Sequence, residues 1–207
     1  MWLPRFTDRL IMPLLLLVLA GCAAGPGGSS PPPEKAARVG DAPPAALTLF
    51  ERATAAMAAG DSIEAQLRFQ EFLLQYPGYP GAHVNLAILQ ADNGDDEAAR
   101  ASIDAALELD PNYAPALNQL GMLLRRNGNF SGSEAAYLKA VTASPDYALA
   151  HYNLGVLNEL YLQRLDVALK HFERYLELAG EDKQVDKWIA DLRRRVQASQ
   201  RTANVAD

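Results

Sequence analysis

The sequence predicts an all-α protein, a stack of helix-turn-helix repeats closed by a C-terminal helix, and three observations carry the prediction. Pro77, Pro111 and Pro145 stand 34 residues apart, and Gly60, Gly94 and Gly128 keep the same interval, each followed by Asp61, Asp95 or Asn129. Small and bulky residues recur in step with them: Ala65, Ala99 and Ser133, then Phe69, Ile103 and Tyr137 four positions on. Alanine is abundant and aromatic residues make up 8% of the chain. That composition favours helices, because alanine costs least in a helix interior and its small side chain lets helices approach closely. A fixed period of this length marks one supersecondary unit that buries its apolar face only against its neighbours.

The N-terminal 1–21 reads as an address. Arg5 and Arg9 precede an apolar run from Leu10 to Ala20, followed by small residues, which is the charged, apolar and cleavage-zone order of a secretory signal. A helix over that run spans about 16 Å, too short for a ~30 Å hydrocarbon core, so a transmembrane helix is the weaker reading. Leu19-Ala20-Gly21-Cys22 resembles the lipobox of bacterial lipoproteins. The resemblance implies cleavage before Cys22, a diacylglycerol on its thiol and a third acyl chain on the new amino group. Two or more chains give stable anchoring where one does not. The alternative is a plain secretory signal with an incidental cysteine. Ala23 follows, where an aspartate would by analogy retain a Gram-negative lipoprotein at the inner membrane, so the outer membrane, facing the periplasm, is the expected location.

Residues 22–45 hold the lipidated cysteine and a tether. The stretch Gly-Pro-Gly-Gly-Ser-Ser-Pro-Pro-Pro and the later Pro43-Pro44 show no apolar periodicity, so a disordered linker is expected, with an average reach of about 25 Å.

From 46 to 180 the period divides the chain into four copies, 46–79, 80–113, 114–147 and 148–180. The Gly-Asp or Gly-Asn pairs stop one helix and start the next, since glycine accepts a left-handed backbone and Asp or Asn caps an N-terminus. Each proline ends a second helix by lacking an amide hydrogen and restricting its predecessor. Leu86-Ala87, Leu120-Gly121 and Leu154-Gly155 mark a large-small pair in the first helices. Ala65, Ala99, Gly121 and Gly155 are expected where helices cross closely and a larger side chain would hold them apart. A leucine-small pair, a turn, an alanine, a bulky residue and a closing proline together resemble the tetratricopeptide repeat. The resemblance covers about two thirds of the chain and implies a right-handed solenoid.

The copies differ. The first has Arg52 where leucine is usual, as suits an exposed terminal repeat. The fourth has a one-residue insertion near 161–164, no glycine at its turn, and Gly180 in the proline slot. Beyond it, Val185, Trp188, Ile189, Leu192 and Val196 fall at helical spacing on one face. They predict a capping helix over 181–200, with Trp188 packing against the last repeat. A basic amphipathic helix for a membrane or partner is the alternative, weakened by interleaved acids. A disordered tail, 201–207, is expected to follow.

The chemistry-bearing residues are few. A formal net charge of -6 argues against nucleic acid as a partner. The single cysteine excludes an internal disulfide framework. His83 and His151 occupy the same repeat position and read as packing residues, and His171 has no sequence partner at metal-ligand spacing. No nucleophile elbow, phosphate loop or His-Glu-x-x-His is present. Neither an enzyme, a metal nor a cofactor is expected.

What remains is a groove. In tetratricopeptide stacks the first helix of each repeat lines a concave face. Carried over by position, the resemblance implies Val84, Ile88 and Asp92 in copy two, Asn118, Met122, Arg125 and Arg126 in copy three, and Tyr152, Val156 and Glu159 in copy four. Arg125 and Arg126 are candidates to receive a carboxylate on a peptide, with Tyr152 packing its apolar part. The alternative is a solvated helix end, where cations are favoured in any case. The lysine and asparagine set of chaperone-binding relatives is missing, so that specificity is not carried over. The expected function is a membrane-anchored adaptor that binds envelope proteins and assists assembly or regulation of an envelope complex, with pilus biogenesis favoured. A self-associating structural protein, or an accessory to an energised transport complex, are the alternatives.

Overall fold

The structure, a computed structural model, describes residues 42–206, with side chains described as far as Arg201. The expected signal, Cys22 and nearly all of the tether lie outside the described residues. Helices fill the rest: α1 (Pro44–Ala58), α2 (Ser62–Gln75), α3 (Pro80–Asp92), α4 (Asp96–Leu109), α5 (Ala114–Arg126), α6 (Phe130–Ala143), α7 (Ala148–Leu160), α8 (Leu165–Ala179) and α9 (Lys183–Ala206). The first eight form four hairpins. Each second helix touches the first helix of the following hairpin, and α3, α5 and α7 touch in succession, so the first helices line one face of the stack.

The turns follow from their residues. Gly60, Gly94 and Gly128 take φ of 78°, 81° and 77°, a left-handed backbone that glycine adopts without a Cβ penalty. Asp61, Asp95 and Asn129 then cap the next helix, accepting from the amides of Glu64, Ala98 and Gly132 at 3.1, 2.9 and 2.9 Å. The second helices of the first three copies each end two residues before Pro77, Pro111 or Pro145, with Tyr76, Asp110 or Ser144 between, the last two extended. In the fourth copy Gln163 takes the left-handed conformation that glycine supplies elsewhere.

The hairpins close by small-on-large contacts. A Cβ on Gly121 would collide with the Tyr137 ring, and one on Gly155 would lie 2.7 Å from the Phe172 ring. The same first-helix position holds Ala53 and Ala87 in the earlier copies, and both are buried. In the first hairpin Phe50 meets Phe69 and Phe72 edge-on, at 5.7 and 5.5 Å between centroids.

Helix α9 covers the last repeat. Val185, Ile189 and Leu192 are buried beside Phe172, with Trp188 5.6 Å from the Phe172 ring. Arg193 and Arg195 reach back to Glu173 and Glu159, both at 2.8 Å, so two of the three consecutive arginines serve the cap. The helix continues to Ala206, so residues 201–206 are helical and not the disordered tail that the sequence suggests. After Val196 the sequence has no glycine or proline to end it, and alanine, glutamine and arginine sustain a helix. No helix among the described residues is long and apolar enough to cross a membrane.

Candidate protein-binding groove

On the face lined by the first helices, α3, α5 and α7 enclose a pocket of about 460 Å³. Its floor is apolar: Ala87, Ile88, Ile103, Leu123 and Val156. Its rim carries Asp92, Gln119, Met122, Arg125, Arg126, Leu160 and Tyr161. Met122, Leu160 and Tyr161 are 37%, 64% and 44% exposed, an uncommon concentration of large apolar side chains at the mouth of a cavity.

The two arginines are not equivalent. Arg126 donates to the Ala91 carbonyl at 2.7 Å and pairs with Asp96. Its charge therefore ties α5 to the α3–α4 turn. Arg125 is half-buried, its guanidinium 5.9 Å from the centre of the Tyr161 ring. Tyr161 is held on another side by Phe130, 4.7 Å between centroids. Among the described residues Arg125 has no carboxylate partner, so it is the cation of this rim with donors to spare.

The structure separates the sequence candidates into two groups. Ile88, Asp92, Met122, Arg125, Arg126 and Val156 line the pocket. Val84, Asn118, Tyr152 and Glu159 do not. Val84 is 6% exposed, packed with Ala106 and Ala116 between repeats. Asn118 is 1% exposed and accepts from Asn153 Nδ2 at 2.9 Å, while its own amide points at the Met122 sulfur, 3.7 Å away. Tyr152 is half-buried and packs against Phe172, Tyr175 and Trp188 of the terminal core. Glu159 has a 17% exposed side chain and is taken by Arg195. Leu160, Tyr161 and Gln119 were not read from sequence. Leu160 and Tyr161 stand one period after Arg126 and Asn127, at the end of α7, and that position was the signal for them.

The histidines show a second difference. His83 and His151 each place Nε2 near the carbonyl of the preceding closing proline, Pro77 at 3.1 Å and Pro145 at 3.2 Å. His171, without a sequence partner, meets His151 across the α7–α8 hairpin, Nδ1 to Nδ1 at 3.1 Å. If His151 donates through Nε2 to Pro145, its Nδ1 must accept, and His171 Nδ1 carries the hydrogen. Burial, and secondarily the neighbouring His151, hold the His171 imidazole down to about 4. Among the described residues no group of three or more His, Cys, Asp or Glu is placed to hold a metal ion.

Comparison with known proteins agrees with the repeat fold. The model of a family described as tetratricopeptide repeat matches residues 40–114 and 118–183. Over 55 residues the chain is 46% identical to the tetratricopeptide repeat and J domain-containing co-chaperone DNJ1 of Fusarium oxysporum f. sp. lycopersici, a stretch covering 27% of this chain and 11% of that protein. Among solved structures it is similar to PilF of Pseudomonas aeruginosa, with TM-score 0.66, 22% identity, and 74% of this chain and 70% of that one covered. It is also similar to the first repeat domain of Spaghetti (RPAP3) bound to the HSP90 peptide SRMEEVD, with TM-score 0.53, 19% identity, and coverage of 57% and 95%. At these identities the structural likenesses establish the fold.

Proposed function

This chain belongs to the tetratricopeptide-repeat family, and from that premise we propose that it is a lipid-anchored adaptor of the bacterial cell envelope that docks a protein segment in the α3–α5–α7 pocket. The observation that carries the reading is the pocket's rim: Arg125, without a carboxylate partner among the described residues, set among exposed Met122, Leu160 and Tyr161 over an apolar floor. Such a site suits a segment that offers one or two apolar side chains and a carboxylate. The apolar part displaces water from the floor, and the guanidinium supplies a charge-assisted contact. Arginine and tyrosine at the edge of a desolvated pocket are the residue types that dominate binding energy. A repeat domain of similar fold bound to the acidic peptide SRMEEVD supports a protein ligand in preference to a small molecule.

The envelope setting rests on the sequence of residues 1–22, the arginine-flanked apolar run ending at Leu19-Ala20-Gly21-Cys22. Three acyl chains on Cys22 would hold the repeats at the membrane, and a tether of about 25 Å would let them meet partners just off it. Assistance to a multi-protein machine is the role that this arrangement fits. Pilus assembly is favoured among such machines, and the likeness of fold to PilF sits with that preference.

In-cell photocrosslinking from position 160, at the pocket mouth, tests the reading. One dominant protein adduct, lost in an Arg125→Glu background, is expected. A site that gives no adduct, or one indifferent to charge reversal at Arg125, would remove the groove from the function.

A further inference from the structure

The first repeat carries a feature that the others lack. On α2, Ile63, Leu67 and Leu74 are 76%, 57% and 86% exposed. Their spacing, i, i+4 and i+11, puts them on one narrow stripe of the helix. Helix α2 packs on α1 and α3 by its opposite side, through buried Ala65, Phe69 and Phe72, so the stripe looks outward, away from the pocket between the first helices.

Aligning the repeats on Ala65, Ala99, Ser133 and Ala168 shows what these positions hold elsewhere. They are Glu97, Ala101 and Glu108 in the second repeat, Ser131, Ala135 and Thr142 in the third, and Asp166, Lys170 and Glu177 in the fourth, all exposed. The fold does not require a large apolar residue at any of the three. Copies two to four obey the usual rule that an outward helix face is polar or small, and copy one breaks it three times. The apolar surface also extends sideways. Leu73 and Leu74 border a shallow groove of about 640 Å³ towards α4, floored by Leu86 and Ala105.

We propose that the outward face of α2 is the contact surface for a second copy of this chain, packed as an antiparallel pair of α2 helices about a two-fold axis. Charge decides for a second copy. The chain carries net charge -6, so two copies meet with least repulsion where acidic residues are fewest or already neutralised. The stripe itself is uncharged. Its one charged flank, Glu64, Arg68 and Glu71, is paired internally, with Arg68 2.8 Å from Glu64 and 3.0 Å from Glu71. The equivalent faces of α4 and α8 would set acid against acid.

The stripe is also self-complementary. A two-fold between positions 68 and 69 brings Ile63 opposite Leu74 of the second copy and Leu67 opposite its Gln70. It sets Arg68 within about 3 Å, along the helix axis, of the second copy's Glu71. The flanking charges then alternate across the contact. An isologous contact of this kind closes on itself and yields a dimer rather than a fibre. Such a dimer would double the number of partner-binding pockets presented by one assembly.

The test is a photocrosslinker at Leu74 in the full chain, in cells that carry two differently tagged copies. The expected product joins the two tags, maps to residues 63–74 of the second chain, and disappears on Leu67→Glu. Because Leu67 and Leu74 are exposed, the melting temperature should stay within about 2 °C of wild type, which separates lost contact from lost fold. Arg125→Glu should leave the product intact, so failure of the pocket reading and failure of this one are told apart. An adduct to a different protein, an adduct to lipid, or none at all would overturn the proposal.

Discussion

Asn153 on α7 donates its side-chain amide to the Asn118 carbonyl oxygen on α5 at 2.9 Å, and the two residues are only 6% and 1% exposed. They stand one repeat plus one residue apart, so the bond joins neighbouring repeats across their shared core. A buried pair of this kind fixes the offset between two helices, because a slip along the axis would leave both groups unsatisfied.

Asn153→Ala should cost about 1–3 kcal/mol, since it leaves a buried acceptor without its donor. Asn118→Leu combined with Asn153→Leu should cost less than the two single changes added together, because no polar atom is then stranded. Urea unfolding of the four proteins of this cycle would measure the coupling. Simple additivity would mean that water already serves the pair.

Gly155→Ala should lower the melting temperature by several degrees. The new Cβ would lie 2.7 Å from a fully buried Phe172 ring, and overpacking of this kind costs about 1–3 kcal/mol. Adding Phe172→Leu should recover part of the loss by making room. A double variant no better than the worse single one would show that the ring is not the obstacle.

Acid should loosen the α7–α8 hairpin first. His171 stays neutral in the fold down to about 4, whereas an unfolded histidine titrates near 6.5. Between those values the unfolded chain binds more protons, so stability falls as pH falls through the window and levels off below it. The His171 ring protons should report a midpoint near 4 by NMR, and His171→Leu should flatten the fall in melting temperature between pH 6.5 and 4. A midpoint above 6 would contradict the burial argument.

Cys22→Ser should leave an uncut or soluble species in place of a membrane-bound one, read by fractionation and intact mass. Mature protein that still pellets with membranes after this change would sink the lipid-anchor reading.

Much of the molecule is legible in the sequence because the repeat writes each local decision three or four times. The glycine and Asp/Asn pairs give the turns, and the prolines give the second-helix ends. The alternation of Gly155 with Phe172, or Gly121 with Tyr137, gives the close crossings. These depend on backbone freedom, capping and volume, which are properties of a few adjacent residues. Histidine pairing was not legible. His151 and His171 sit in consecutive helices, and only the packing angle of the hairpin turns their Nδ1 atoms towards each other.

The pocket marks the boundary between the two kinds of information. Position in the repeat determined, from sequence alone, which helix face each candidate occupies. Ile88, Met122, Arg125 and Arg126 line one cavity, and Val84, Asn118, Tyr152 and Glu159 do not. The tertiary structure alone decided which of them remain available. Asn118 is spent on Asn153, Tyr152 packs on Trp188, Glu159 is taken by Arg195, and Arg126 is engaged by Asp96. The reason is physical: periodicity sets the direction of a side chain relative to its own helix, whereas availability depends on what other segments, here about 30–36 residues away, bring against it.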